Sequence, residues 1–189
     1  MKVRARILNL PNIITGGRFL LSAGLMLLLM LPQSSGIAFL AWLVFSLAAV
    51  SDWIDGYFAR RYQSVTVLGK MMDPLADKVL VATALIMLIP LDRIPAWMAL
   101  VILIREFVVT GLRGVASSSG IVVAASQLGK LKSTTQYLGL GFLIFPEDLL
   151  PIPALYQIGM AIMYVALVFT VWSGIEYFYT LRRVFLEET

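Results

Sequence analysis

The sequence predicts an all-α polytopic membrane protein with six transmembrane helices and a short interfacial N-terminal segment. Three observations lead to this fold class. Hydrophobic residues make up 60% of the 189-residue chain and charged residues only 14%, whereas a soluble domain is about half apolar and about a quarter charged. Six apolar stretches each approach the roughly 20 residues that a helix needs to cross a bilayer. Lysines and arginines cluster in alternate connections, which is typical of multi-pass proteins.

The six apolar stretches follow one another with short connections. They cover roughly residues 12–32, 36–61, 70–90, 95–119, 129–146 and 152–180. Proline and glycine mark several of the connections, at 32–36, 90–95 and 146–153. The fifth stretch has the shortest strongly apolar part. Because no soluble segment is left over and no internal repeat is visible, we expect one six-helix transmembrane domain over residues 1–189.

The N-terminal residues allow two interpretations. A basic start followed by an apolar run resembles a signal peptide, but the run is long and no small-residue cleavage site follows Pro32. Residues 3–10 are instead expected to lie along the membrane interface as a short amphipathic segment.

Basic residues predict the orientation of the chain. Ten of them fall on one predicted side: Lys2, Arg4, Arg6, Arg60, Arg61, Lys70, Lys130, Lys132, Arg182 and Arg183. The opposite connections carry only Arg93, together with Asp92, Glu147 and Asp148. Because positive charge is retained on the cytoplasmic side, both termini are expected to face the cytoplasm.

Two missing residue types restrict the chemistry. The chain contains no cysteine and no histidine, which excludes disulfides, zinc-thiolate sites and thiol catalysis. A general base must then be a carboxylate, a lysine or a tyrosine. A metal site must use oxygen ligands, which suits Mg²⁺, Mn²⁺ or Ca²⁺.

Four aspartates lie near the predicted cytoplasmic ends of the second and third stretches. Asp52 and Asp55 are three residues apart, and Asp73 and Asp77 are four apart, so each pair lies on one face of its helix. The short link makes the two helices antiparallel neighbours, and the four carboxylates can therefore converge. Charged groups inside a membrane span are costly and usually mark function.

Converging carboxylates repel one another, and divalent cations relieve this repulsion because hard cations prefer carboxylate oxygens. Two bridged metal ions are a recurrent device in phosphoryl chemistry. The alternative is that the aspartates only solvate helix ends or pair with Arg60, Arg61 and Lys78. Gly56 and Ala59 would let a bulky ligand approach the backbone, and Arg60 offers a guanidinium fork suited to phosphate.

The complete pattern resembles the signature of the CDP-alcohol phosphatidyltransferase family at every position: Asp52-x2-Asp55-Gly56-x2-Ala59-Arg60-x8-Gly69-x3-Asp73-x3-Asp77. The resemblance implies that Asp52, Asp55 and Asp73 bind Mg²⁺ or Mn²⁺, with two ions expected. It implies that Asp77 also touches the metal and acts as the general base on an acceptor hydroxyl. It further implies a CDP pocket lined by Gly56, Ala59, Arg60 and Gly69.

The first stretch opens with Pro11-Asn12-x2-Thr15-x2-Arg18, which also resembles the family. Asn12 and Thr15 are therefore expected to contact the nucleotide, although either could instead serve as a helix N-cap. Family members usually form homodimers in the lipid bilayer, and no nucleic-acid partner is expected.

The acceptor side carries a cationic cluster: Arg105-Glu106-Phe107, Arg113 and residues 124–133. This cluster is similar to the corresponding stretch of the bacterial phosphatidylglycerophosphate synthase subfamily. That resemblance implies transfer of a phosphatidyl group from CDP-diacylglycerol to glycerol 3-phosphate, giving phosphatidylglycerophosphate and CMP. Arg113, Lys130 and Lys132 would bind the acceptor phosphate as charge-assisted donors. Alternatively, these cations bind lipid headgroups, and Arg105 forms a structural ion pair with Glu106.

Rival functions remain open on the sequence alone. The same chemistry could use inositol phosphate, serine or phosphatidylglycerol as the acceptor. A cation transporter could use the four aspartates as an ion site, although its ionisable residues would be expected along a pathway. The predicted location is the bacterial cytoplasmic membrane, with the active site facing the cytoplasm.

Overall fold

The structure, a computed structural model, is all-helical where it describes the chain, which confirms the predicted all-α class. It describes the backbone of residues 10–62, 67–118, 126–150 and 152–187. It describes the side chains of residues 15–51, 75–117, 126–150, 152–180 and 182. No β-strand occurs in these backbone ranges.

Six α-helices in these ranges follow the order of the six apolar stretches. They are α1 Leu10–Met30, α2 Ser35–Tyr62, α3 Val67–Leu88, α4 Ala96–Ser118, α5 Gln127–Ile144 and α6 Leu155–Glu187. A short 3₁₀ turn, Glu147–Leu149, connects α5 to α6. The helix ends lie within a few residues of the predicted ones, except that α6 continues well past residue 180. A helix does not have to end where its apolar run ends.

The described residues contain one helix that is long and apolar enough to cross a membrane by composition. This segment is Leu155–Thr180 of α6, with 26 residues and a mean hydropathy of 2.0. Shorter apolar runs occupy Thr15–Met30 of α1 and Ser35–Ser51 of α2. Arg105, Glu106 and Arg113 interrupt the apolar sequence of α4. The six-span topology therefore stays a prediction.

Large apolar side chains cover much of the outer surface. Leu20 on α1 is 76% exposed, Phe107 on α4 is 65% exposed and Trp172 on α6 is 65% exposed. Soluble monomers rarely expose large contiguous apolar patches, which commonly mark membrane or protein contacts. The outward apolar surface suits a lipid environment.

The core lies between the helices and combines branched side chains with alanines. Leu25 of α1, Leu80 of α3 and Leu140 of α5 are fully buried. Among the described glycines, those with the closest neighbours lie where α5 packs against α6. A Cβ on Gly139 would lie 2.8 Å from the Met163 side chain, so a larger residue would push these helices apart.

Short connections meet at one end of the bundle. Arg93, which precedes α4, donates from Nη1 to the carbonyl oxygens of Leu143 at 3.0 Å and Ile144 at 3.3 Å. These carbonyls lie in the last turn of α5, where they have no partner within the helix. The Arg93 guanidinium also lies 4.6 Å from the centre of the Tyr156 ring. Arg93 thus fixes this end, and the functional cavity lies at the other.

Candidate active site

A cavity of about 530 Å³ is bordered by α2 to α6 at the end of the bundle opposite Arg93. Five cationic side chains line it: Lys78, Arg105, Arg113, Lys130 and Lys132. Two carboxylates, Asp77 and Glu106, line it as well. Among the described side chains that line the cavity, cations therefore outnumber carboxylates, which suits an anionic ligand.

Asp77 is half-buried in the wall contributed by α3. The hydroxyl of Tyr137 on α5 donates a hydrogen bond to Asp77 Oδ1. The Tyr137 ring packs against Phe45 of α2, with the ring centroids 5.9 Å apart. Helices α2 and α5 together hold the predicted base at the cavity wall.

Glu106 joins two of the cations. Its Oε1 accepts a hydrogen bond from Arg105 Nη1 at 3.1 Å and another from the ammonium of Lys132. Arg105 Nη2 also donates to Ser173 Oγ on α6 at 2.8 Å. The ion pair that the sequence left open for Arg105 is therefore present. Lys132, expected to face the acceptor phosphate, is 4% exposed and shares its ammonium with Glu106.

The ring of Tyr177 on α6 lies close to the guanidinium groups of Arg105 and Arg113 on α4. The guanidinium carbons of Arg105 and Arg113 lie 5.7 Å and 5.9 Å from the centre of its ring, within the range of a cation–π contact. The Tyr177 hydroxyl accepts a hydrogen bond from the Ser126 backbone N–H at 3.1 Å. Ser126 is the N-cap of α5, and its Oγ accepts from Gly129 N. Tyr177 thus ties the arginines of α4 to the start of α5.

Arg113 and Lys130 are the exposed cations of the cavity. Lys130 forms no ion pair with another side chain in the described part of the chain. Both side chains are exposed at the cavity, and phosphate binding by them stays a prediction.

Most other predicted site residues fall on described helices but outside the described side chains. Asp52, Asp55, Gly56, Ala59 and Arg60 belong to α2, Gly69 and Asp73 to α3, and Asn12 to α1. The α-helical backbone places each aspartate pair on one helix face. Convergence of the two pairs remains a prediction. Thr15 is 1% exposed in α1.

The donor set suits a divalent metal ion. The chain offers carboxylates and no histidine or cysteine, and hard cations prefer such oxygen ligands. Asp77 already reaches the cavity wall. Among the described side chains no group of three or more potential ligands comes together, since three of the four aspartates lie outside that set.

Sequence reasoning assigned no role to the uncharged residues Tyr137, Tyr177 and Ser173, which contact charged residues of the cavity. It also assigned none to Gln136, which lines a small recess beside the cavity. A signal for some of them was present. Lys130, Ser133 and Tyr137 recur at three- to four-residue spacing on α5, so they form a polar stripe within a predicted membrane span. Such a stripe must face protein or water, and both tyrosines contact charged residues of the cavity.

The chain was compared with known proteins. The sequence profile of the CDP-alcohol phosphatidyltransferase family matches residues 8–172. A CDP-diacylglycerol–glycerol-3-phosphate 3-phosphatidyltransferase of Bacillus subtilis (strain 168) is 43% identical over 184 residues, covering 90% of this chain and 93% of the relative. Proteins of the same name from Rickettsia typhi and Shigella flexneri serotype 5b are 38% and 33% identical, covering 94% and 95% of this chain and 99% and 98% of the relatives. The chain therefore belongs to the CDP-alcohol phosphatidyltransferase family and is an enzyme of that class.

Proposed function

We propose that this enzyme transfers the phosphatidyl group of CDP-diacylglycerol to glycerol 3-phosphate, giving phosphatidylglycerophosphate and CMP. The supporting observation is the position of Asp77 in a cavity that also carries five cations. A carboxylate base beside excess positive charge suits an acceptor that bears both a hydroxyl and a phosphate. The relatives that bear this activity in their names cover nearly the whole chain.

The acceptor is bound by its phosphate at Arg113, Lys130 and Lys132. Arg113 and Lys130 are exposed to the cavity. Lys132 has three N–H donors and directs one of them to Glu106. This arrangement points the acceptor hydroxyls inward, toward Asp77.

Asp77 takes the proton from the primary hydroxyl of the acceptor. The resulting oxygen forms a bond to the phosphorus that carries the diacylglycerol. The bond from that phosphorus to the bridging pyrophosphate oxygen breaks, and CMP leaves with the electron pair. Tyr137 holds the Asp77 carboxylate in place by donating to Oδ1. Catalysis rests on positioning and charge, as in other phosphoryl transfers.

Members of this family generally use divalent metal ions. In this chain Asp52, Asp55, Asp73 and Asp77 would hold them, and two Mg²⁺ or Mn²⁺ ions are proposed. Such ions neutralise charge on phosphate oxygens when bound. The helical spacing of the two aspartate pairs supports the proposal.

The nucleotide pocket is proposed to involve Gly56, Ala59, Arg60, Gly69, Asn12 and Thr15. Small residues on α2 would let the nucleotide approach the helix backbone, and an arginine suits phosphate oxygens. The family signature at these positions supports the assignment.

The protein is a membrane-bound enzyme with bacterial relatives. We further propose one six-span domain over residues 1–189 in the bacterial cytoplasmic membrane, with both termini and the cavity facing the cytoplasm, and a homodimer as the assembly. The charge asymmetry supports the orientation. CDP-diacylglycerol would then enter from the bilayer and the acceptor from the cytoplasm.

The test is CMP release by purified protein from CDP-diacylglycerol with a panel of acceptors. Glycerol 3-phosphate with a divalent cation should give turnover, whereas glycerol, serine and inositol should not. Inositol phosphate tests whether the cavity accepts any phosphorylated alcohol, and turnover with it alone would refute the proposed acceptor. Full activity of Asp77→Asn would refute the assigned base. An unchanged acceptor KM in Arg113→Ala and Lys130→Ala would refute the phosphate site.

A further inference from the structure

Gln136 on α5 carries a buried amide with an unused donor. The residue is 2% exposed, and its Nε2 has no hydrogen-bond partner among the described atoms. Buried polar groups in folded proteins are nearly always hydrogen-bonded. A ligand bound in the neighbouring cavity can supply the missing partner.

Gln136 lines a small recess next to the main cavity. The recess has a volume of about 10 Å³, enough for a single water-sized group. Asp77, Lys132 and Tyr137 line both the recess and the main cavity. A ligand bound in the main cavity can thus project one small polar group toward the Gln136 amide.

The order of groups along α5 indicates which part of the ligand this is. Lys132 lies one helical turn before Gln136, on the same face, and belongs to the phosphate-binding cations. Tyr137 follows Gln136 and donates to Asp77, the proposed base for the reacting hydroxyl. Gln136 therefore lines one recess with Lys132 of the proposed phosphate site and Asp77 of the proposed reacting site, so a group held in the recess lies beside both.

Glycerol 3-phosphate has the matching order of groups. Its phosphate and its primary hydroxyl lie at opposite ends of the three-carbon chain, and its secondary hydroxyl lies between them. We propose that Gln136 is a specificity-determining residue whose Nε2 donates a hydrogen bond to this secondary hydroxyl. The proposal rests on the proposed function, since it names the part of that acceptor which the recess receives.

The test compares two acceptors that differ only in this hydroxyl: glycerol 3-phosphate and 3-hydroxypropyl phosphate. We expect wild-type kcat/KM to favour glycerol 3-phosphate by at least about tenfold, because a site built to hydrogen-bond a hydroxyl is left with an unpaired buried group when the hydroxyl is missing. Gln136→Met, of similar volume, should reduce this preference to below about twofold. The loss should fall on glycerol 3-phosphate, with 3-hydroxypropyl phosphate turned over nearly as before.

Thr135→Val is the matched control on the same helix. Among the described residues the Thr135 hydroxyl bonds to the backbone oxygens of Leu131 and Lys132 and to no other group, so the acceptor preference should stay at the wild-type value. A changed preference in this control would overturn the assignment to Gln136.

Three further results would overturn the inference. Equal losses for both acceptors in Gln136→Met would indicate a bound water or a packing role. Equal kcat/KM for the two acceptors in the wild type would show that the enzyme does not recognise the secondary hydroxyl. This measurement does not depend on the folding of any variant. If the wild type failed to use glycerol 3-phosphate at all, the proposed function would fall and this inference with it.

Discussion

Neutralising Glu106 removes the counter-ion of a cation held inside the bundle. The side chain of Glu106 is 15% exposed and that of Lys132 is 5% exposed, and the Arg105 side chain is 12% exposed. Glu106→Gln preserves volume but leaves both cations beside a neutral amide. Breaking a buried ion pair from one side destabilises a protein by about 3–5 kcal/mol, because the desolvation of the remaining ion is no longer offset.

The expected loss is large enough to measure by thermal unfolding in detergent micelles. For a chain of this size about 1 kcal/mol lowers Tm by about 2–4 °C, so Glu106→Gln should melt roughly 6–20 °C below the wild type. Glu147→Gln is the matched control at the other end of the bundle, where the exposed carboxylate accepts a hydrogen bond from Tyr156 N at 3.2 Å. An exposed substitution of this kind should change stability by no more than about 0.5 kcal/mol.

A second substitution separates the ion pair from general damage. In the double variant Glu106→Gln with Lys132→Met, the stranded ammonium is gone, so part of the lost stability should return. Contacting residues of this kind couple by about 0.5–3 kcal/mol. The reasoning fails if the two single losses simply add, or if Glu106→Gln melts as the wild type does.

Three further predictions concern the tyrosines and the helix packing. Tyr177→Phe keeps the ring that contacts Arg105 and Arg113 but loses the hydroxyl that accepts from the Ser126 backbone N–H at the start of α5. We therefore expect a several-fold higher KM for glycerol 3-phosphate in the CMP-release assay, and an unchanged KM would contradict this. Tyr137→Phe removes a hydrogen-bond donor to Asp77. Losing a hydrogen bond to a metal ligand typically costs about 10–100-fold in metal affinity or activity, so a Mg²⁺ titration should show a raised half-saturating concentration. A wild-type metal affinity together with wild-type activity would be evidence against the contact. Gly159→Ala and Gly111→Ala both gain about 1 kcal/mol of helix propensity. Of these two, only the new Cβ at residue 159 would lie 3.0 Å from a neighbouring side chain, so the Gly159 variant should be less stable than the Gly111 variant by about 1–3 kcal/mol. Equal melting temperatures would refute the close packing of α5 on α6.

The helices could be predicted from the sequence because apolar length and turn residues set them almost independently of tertiary contacts. Proline and glycine at 32–36 and 90–95 separate helices whose observed ends lie close to those positions. The C-terminal part of α6 was missed, since the apolar criterion stops at 180 while the helix continues to Glu187. Membrane hydropathy predicts where a chain can be buried in lipid, not where its hydrogen-bonded turns end.

The site could be predicted less completely than the helices, because only its charged residues give a strong signal in an apolar sequence. Charged residues in an apolar helix stand out by their cost, so Asp77, Arg113 and Lys130 were identified from sequence and do line one cavity. The polar groups of Tyr137 and Gln136 are uncharged, so their cost in a membrane span, and hence their signal, is weaker. Their roles depend on how α5 is rotated against α3 and α4, and that rotation is fixed by packing such as Gly139 on Met163.

The cavity's charges are graded with depth, and this gradation determines how an acceptor can bind. Deep in the bundle, Arg105 and Lys132 share the carboxylate of Glu106, which offsets much of their charge. Near the opening, Arg113 and Lys130 are exposed, and Tyr177 holds Arg113 over its ring. In the proposed binding mode the acceptor phosphate gains most from Arg113 and Lys130 at the opening and less from Lys132, whose charge Glu106 offsets, while the acceptor hydroxyls point inward to Asp77. Reversed binding would bring the dianion to cations whose charge Glu106 already offsets, so the exposed cations at the opening are proposed to favour the reactive orientation as well as binding.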